Sequence, residues 1–153
     1  LIKWLTKTRY TADFKNLEPI RQLIEKEACA LGASDDDIYD LMLAATELVT
    51  NTIEHGYRGK EGWVQIEIGH NKSDLVIIFR DGAPKYDPTT TPIPNIHFPL
   101  EERPMRGLGV FIVRKMMDEF TYKLDDEGNN QVTIVKYNIT GDPKEDVDGN
   151  NGQ

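Results

Sequence analysis

The stretch Glu47-Leu48-Val49-Thr50-Asn51-Thr52-Ile53-Glu54-His55-Gly56 decides how this chain is read. Upstream of it, Ser34 followed by Asp35, Asp36 and Asp37 makes a helix start, with a hydroxyl to cap free backbone N–H groups and acids near the positive dipole end. Ile38, Leu41, Ala45, Leu48 and Thr52 then recur at helical spacing as an inward stripe. The helix so predicted carries Glu47, Asn51 and His55 on successive turns of roughly one face, since four residues rise about 6 Å and return to nearly the same side. These three side chains can address one ligand. His55-Gly56 is the expected helix end, where imidazolium suits the negative dipole and glycine supplies the stop.

On the amino-terminal side, Phe14, Leu17, Ile20, Ile24, Ala28 and Leu31 predict an earlier helix, and Gly32 sits where a left-handed stop belongs. On the other side, residues 63–68 alternate apolar and polar. Residues 74–79 continue the pattern after an Asn71-Lys72-Ser73 turn, so the two read as a hairpin with one buried face, ending at Asp81. A further helix is expected over residues 108–118, then strands near 120–124 and 131–139 joined by a turn at 125–129, with a short strand near 2–8. Residues 1–140 form one expected domain, and the polar, glycine-rich residues 141–153 an expected disordered tail. Six of the eight prolines fall between Asp81 and Gly107, which excludes regular helix or strand there. A connection of that length between two functional clusters reads as a lid, with a flexible linker as the alternative.

The 153 residues, 39% apolar and 29% charged, suit one soluble domain with its own core. The longest apolar run, residues 75–79, is far too short to span a membrane, and the expected location is the cytoplasm. A net charge of −8 repels phosphate backbones, so direct nucleic-acid binding is not expected. The single cysteine, Cys29, has no internal partner and reads as a small, half-buried helix residue.

Two further clusters follow the helix: Asp81-Gly82, then Arg106-Gly107-Leu108-Gly109 leading into Val110, Phe111, Ile112 and Val113. Asn51 offers an amide oxygen suited to a hard cation such as Mg²⁺, which takes its other ligands from phosphates and water. Glu47, one turn away, can accept the proton of an attacking hydroxyl. A carboxylate at a strand end, Asp81, accepts the exocyclic amino hydrogen of adenine and repels the oxygen that guanine presents there. Gly82 removes a side chain where the base comes close. Gly107, Leu108 and Gly109 open a helix whose free N–H groups can receive phosphates, and Arg103 and Arg106 can add charge. Asn130 and Thr133 on the last strand are further polar candidates around the base. Taken singly, each cluster has a structural alternative: a solvated acid and amide, a turn dipeptide, a tightly packed helix start. Their joint order describes an ATP site.

With Glu47-x-x-x-Asn51-x-x-x-His55-Gly56, Arg106-Gly107-Leu108-Gly109 and Lys115-Met116-Met117-Asp118-Glu119, the chain resembles the GHKL ATPase superfamily, most closely its bacterial anti-sigma-factor serine/threonine kinases. The resemblance runs over residues 17–137. It implies an α+β fold of GHKL/Bergerat type, a two-layer α/β sandwich with helices on one face of a mixed, mostly antiparallel sheet. It also implies Glu47 as base, Asn51 as Mg²⁺ ligand, Asp81 for adenine, and Gly107 and Gly109 for the phosphates of ATP. A sigma factor and an anti-sigma-factor antagonist are the implied partners in a partner-switching circuit, and a homodimer the implied assembly. Histidine kinases usually carry an amide where this chain has Glu47, and Asn130 stands where many members have Thr. A module that binds ATP and sequesters partners without phosphorylating them is the rival from another class.

Overall fold

A computed structural model describes residues 1–90 and 108–140. Strand β1 (Lys3–Thr11) and a 3-10 turn (Phe14–Asn16) lead into helix α1 (Leu17–Ala30) and helix α2 (Asp35–Asn51). A π-helical turn (Thr52–Gly56) follows, then strands β2 (Trp63–Asn71) and β3 (Asp74–Asp81) and a 3-10 turn (Pro88–Thr90). Helix α3 (Leu108–Met116) and strands β4 (Glu119–Leu124) and β5 (Asn130–Lys136) complete the described part. Among the described residues the strands form one sheet in the order β1-β2-β3-β5-β4, antiparallel at every pairing. This is an α+β fold.

The helices lie against one sheet face because each strand alternates. Val64, Ile66 and Ile68 of β2, Leu75, Ile77 and Phe79 of β3, and Val132 and Ile134 of β5 share a buried cluster with Ile20, Ile24, Leu41, Leu48, Val49 and Val113 from the helices. Each of these branched side chains contributes about 1.5–3 kcal/mol by leaving water. Helix α2 is capped as its sequence predicts, Ser34 Oγ accepting the Asp37 N–H at 3.1 Å. Helix α1 stops at Gly32, whose φ of +86° is the left-handed conformation expected there.

Several expectations are corrected. Phe14 lies in the 3-10 turn before α1 and is exposed, outside the stripe it was read into. Cys29 faces solvent, one position beyond buried Ala28. The helical segment does end at Gly56 as expected, but the left-handed turn that follows is made by Arg58 (φ 54°) and Gly59 (φ 80°) and not by Gly56. The hairpin is buried on both faces in its middle, since Gln65, Glu67, Val76 and Ile78 on the helix-free side are also covered by their neighbours. The reading of β1 as short fails by excess: it pairs with β2 over Lys3 to Thr11, with an irregularity between Trp4 and Thr6. Residues 141–153 and most of the proline-rich lid lie outside the described residues.

Candidate functional site

Helix α2 presents Glu47 and Asn51 one turn apart, both half-buried. After Asn51 the helix widens, the Tyr57 N–H reaching the Thr52 carbonyl at 2.8 Å, five residues back. A π turn carries fewer degrees per residue than an α turn, so the face beyond Asn51 rotates. Thr52, the last residue still bonded in α-helical fashion, to the Leu48 carbonyl, places its Oγ1 3.2 Å from Asp81 Oδ2. Of the three residues expected to address one ligand, Asn51 alone lines the cleft in front of Asp81. His55 lines an adjoining, larger depression with Arg58, Lys60 and Lys85, of about 560 Å³, which shares Gly56 and Tyr86 with the cleft.

Asp81 lies on the core-facing side of β3 because it continues the alternation of Leu75, Ile77 and Phe79. It is 8% exposed. Oδ1 accepts from Asn130 Nδ2 at 2.8 Å and from the Ala83 N–H at 3.0 Å, and Oδ2 accepts from Thr52. Burial raises the Asp81 pKa above the ordinary carboxylate value; hydrogen bonds from Asn130, Ala83 and Thr52 oppose this without cancelling it. The cleft in front has apolar walls from Leu48, Phe79, Val132 and Pro88, with Asn51, Thr52, Gly56, Asp81, Tyr86 and Asn130 completing it. An apolar slot whose polar lining includes one carboxylate and two amides has donors and acceptors that a purine can match. Its free space is only about 20 Å³, smaller than a purine, and Tyr86 and Pro88 form part of its wall. Those two residues begin the proline-rich connection. The Thr89 carbonyl accepts from Arg114 of α3, which ties that connection to the helix at the other end of the site.

Glu47 meets the start of α3. A Cβ at Gly109 would collide with Glu47 Oε2, so glycine is required for the carboxylate to stand against the helix's first turn. Burial raises the Glu47 pKa, and nearby Glu54 raises it further. Asn51 can hold a hard cation through its amide oxygen, and among the described residues no group of three or more His, Cys, Asp or Glu is arranged as a protein-only metal cage. Such a cation would draw on phosphate oxygens.

The remaining candidates separate. Gly82 borders the second depression, and the obstacle a Cβ would meet there is Trp63 Nε1 at 2.9 Å, so the glycine makes room for an indole. Thr133 is not part of the cleft. It alternates with Val132 and Ile134 and lies on the opposite face of β5, paired with Ile78 and Thr121. Arg103, Arg106 and Gly107 lie outside the described residues, and Leu108 is placed as the first residue of α3.

Two residues that sequence reasoning missed organise the site. The Tyr57 hydroxyl donates to the Trp63 carbonyl at 2.7 Å and accepts from the N–H groups of Trp63 and Gly82 at 3.1 and 2.8 Å, fixing the turn after Asp81. The Tyr122 hydroxyl lies 2.6 Å from Asn130 Oδ1. Neither follows a spacing rule; the only sequence signal is a tyrosine just after the Asn51 helix and another on a strand next to the one bearing Asn130.

The family described as histidine kinase-like ATPase domain matches residues 10–136. A Bacillus cereus protein named serine-protein kinase RsbW is 30% identical over 122 residues, covering 77% of this chain and 75% of the relative. A Bacillus thuringiensis protein of the same name matches at the same identity and coverage. Among solved structures, that of the RsbU and RsbW domains of a Mycobacterium tuberculosis protein aligns with a TM-score of 0.59 at 16% identity. That alignment covers 87% of this chain and 32% of the neighbour, about a third of its length, and shows the shared fold. With the cleft at Asp81, the Glu47 and Asn51 helix and these likenesses together, the chain belongs to the histidine kinase-like ATPases of the GHKL superfamily, in the anti-sigma kinase branch of the RsbW proteins.

Proposed function

We propose that this protein binds Mg·ATP in the Asp81 cleft and phosphorylates a serine or threonine of a protein partner, as an anti-sigma regulatory kinase of the cytoplasm. The observation that carries this is the Glu47 carboxylate standing against the first turn of α3 at Gly109, one helical turn from Asn51. Binding alone needs no base at that point. ATP would supply the transferable phosphoryl group and Mg²⁺ the neutralisation of its charge.

The chain's own residues then divide the work. Asp81 accepts the amino group of the base, and Leu48, Phe79 and Val132 exclude water from its faces. Asn51 orients the cation. The α3 amino terminus, with Gly107, Leu108 and Gly109, receives phosphate oxygens through backbone N–H groups, and Arg103 and Arg106 add positive charge. Glu47 accepts the proton of the attacking hydroxyl. Its raised pKa makes it a stronger base than an exposed glutamate while leaving it ionised above that pKa. The implied partners are a sigma factor and its anti-sigma-factor antagonist, and a homodimer is proposed on the family resemblance.

The test is Glu47→Gln, which keeps size and removes the base. Phosphate transfer to an antagonist recovered from the native host, followed in single turnovers, should fall by about 10²–10⁴-fold while ATP affinity changes little. Normal transfer by the variant would remove Glu47 from the mechanism. Absence of transfer by the wild-type protein to every recovered partner would favour the sequestering module.

A further inference from the structure

Asn130 is 4% exposed and every polar atom of its side chain is already engaged within the protein. Nδ2 shares its two hydrogens among Asp81 Oδ1 at 2.8 Å, the Ala83 carbonyl at 3.0 Å and the Pro84 carbonyl at 3.3 Å. Oδ1 accepts from the Tyr86 N–H at 3.2 Å and from the Tyr122 hydroxyl at 2.6 Å. An amide has two hydrogens and two oxygen lone pairs, so this one is saturated. It cannot add a bond to a bound base without giving one up.

The same inventory at Asp81 is uneven. Oδ1 has two donors, Asn130 and Ala83, whereas Oδ2 has Thr52 alone. One acceptor position therefore remains, on Oδ2. We propose that Asn130, oriented by Tyr122, is a positioning residue that sets the nucleobase specificity of the cleft by saturating Asp81 Oδ1 and leaving Oδ2 a single acceptor for an amino-bearing base edge. This rests on the nucleotide-binding reading above and adds the residue that aims the selective carboxylate. Carboxylate torsions are broad and roughly two-fold, so without the amide the Asp81 head group, held by Ala83 and Thr52 alone, would swing its free acceptor out of line with the base edge and the preference for amino over oxo would fade. Tyr122 contributes from β4, the neighbouring strand, without lining the cleft. Its hydroxyl fixes which end of the amide faces Asp81.

The decisive probes are ADP and IDP, which differ in the base at position 6, amino against oxo. Affinities measured by titration should favour ADP by at least about tenfold in the wild-type protein, because an unmatched buried acceptor discriminates strongly. In Asn130→Leu, which keeps volume and removes every hydrogen bond, the ratio should collapse to within about threefold of unity. Tyr122→Phe, a milder change, should lower the ratio by about threefold or more while IDP affinity holds. A folded Asn130→Leu with the wild-type ratio overturns the proposal. Should that variant fail to fold, an unchanged ratio in Tyr122→Phe overturns it instead. Wild-type protein that binds neither nucleotide would sink the ATP reading and this one with it, whereas a selective wild type with selective variants sinks only the role of Asn130.

Discussion

Asp81 sets two effects against each other: burial, which disfavours its charge, and three donors, which favour it. Burial wins, because its pKa is raised. The sign of the consequence follows from linkage. A carboxyl whose folded pKa lies above its unfolded value costs stability when ionised, fully so above the folded pKa, and the cost disappears as pH falls to the unfolded one. Asp81→Asn should remove that cost. Its amide oxygen can still accept from Asn130 and Ala83, and its NH₂ can face Thr52 with the hydroxyl turned to accept. The unfolding midpoint at neutral pH should therefore hold or rise. ATP binding should weaken about tenfold to a hundredfold, since an amide donor would meet the adenine amino group. Thermal denaturation beside nucleotide titration tests both halves, and undiminished ATP affinity would remove Asp81 from the base pocket.

The junction of α2 with α3 makes a similar trade between elements. Gly109 is a poor helix residue, less favourable than alanine by about 0.8–1 kcal/mol in a helix interior. It is needed because Glu47 occupies the space a Cβ would take. Gly109→Ala should leave the fold intact or slightly more stable and displace the carboxylate, lowering phosphate transfer to a level near that of Glu47→Gln. Transfer at the wild-type rate would show that the close approach is unimportant to chemistry. How much of this was legible in the sequence depends on the kind of signal. The cap at Ser34, the stripe of α2 and the Gly32 stop were readable because each is a local rule satisfied by residues within one or two turns. The π turn was not, since nothing in Thr52-Ile53-Glu54-His55-Gly56 marks where a backbone bond reaches back five residues instead of four. That one widening turns the residues after Thr52, His55 among them, off the α-helical register of Glu47 and Asn51. Thr133 failed for a register reason: a strand's period of two means that Asn130 and Thr133, three apart, cannot share a face. Tyr57 and Tyr122 act through hydroxyl contacts across turns, with Trp63 six residues on and Asn130 eight residues on, and in the case of Tyr57 also with Gly82, contacts that no helix or strand period predicts.

Across the whole molecule, the helix-free side of the sheet has its own order. Arg80 of β3 donates to Glu67 of β2, to Gln131 of β5 at 2.6 Å and to Asp125 at 3.1 Å, while Gln65 donates to Glu67 at 3.0 Å. Arg9 of β1 donates to Gln65 and stacks over Trp63, 3.8 Å from the ring centroid. The network thus crosses from β1 to the β4–β5 turn, directly behind Asp81 and Asn130 on the same two strands. Burial alone would raise the Glu67 pKa, but hydrogen bonds from Arg80 and Gln65, with the positive charge of Arg80, outweigh it and hold the carboxyl below its usual range. Such a group stabilises the fold above its unfolded pKa and loses that contribution as pH falls through the folded one. Arg80→Ala should cost about 1–3 kcal/mol at neutral pH, because it leaves Glu67 buried and without its main partner. Glu67→Gln removes the charge along with the partner and should cost less. Urea titrations at neutral pH and at a pH below the usual carboxylate range separate the cases. The gap between wild type and Glu67→Gln should narrow on acidification, since the wild-type carboxyl then becomes protonated as well. A gap that stays constant with pH would show that packing, not charge, is what Glu67 contributes to the sheet.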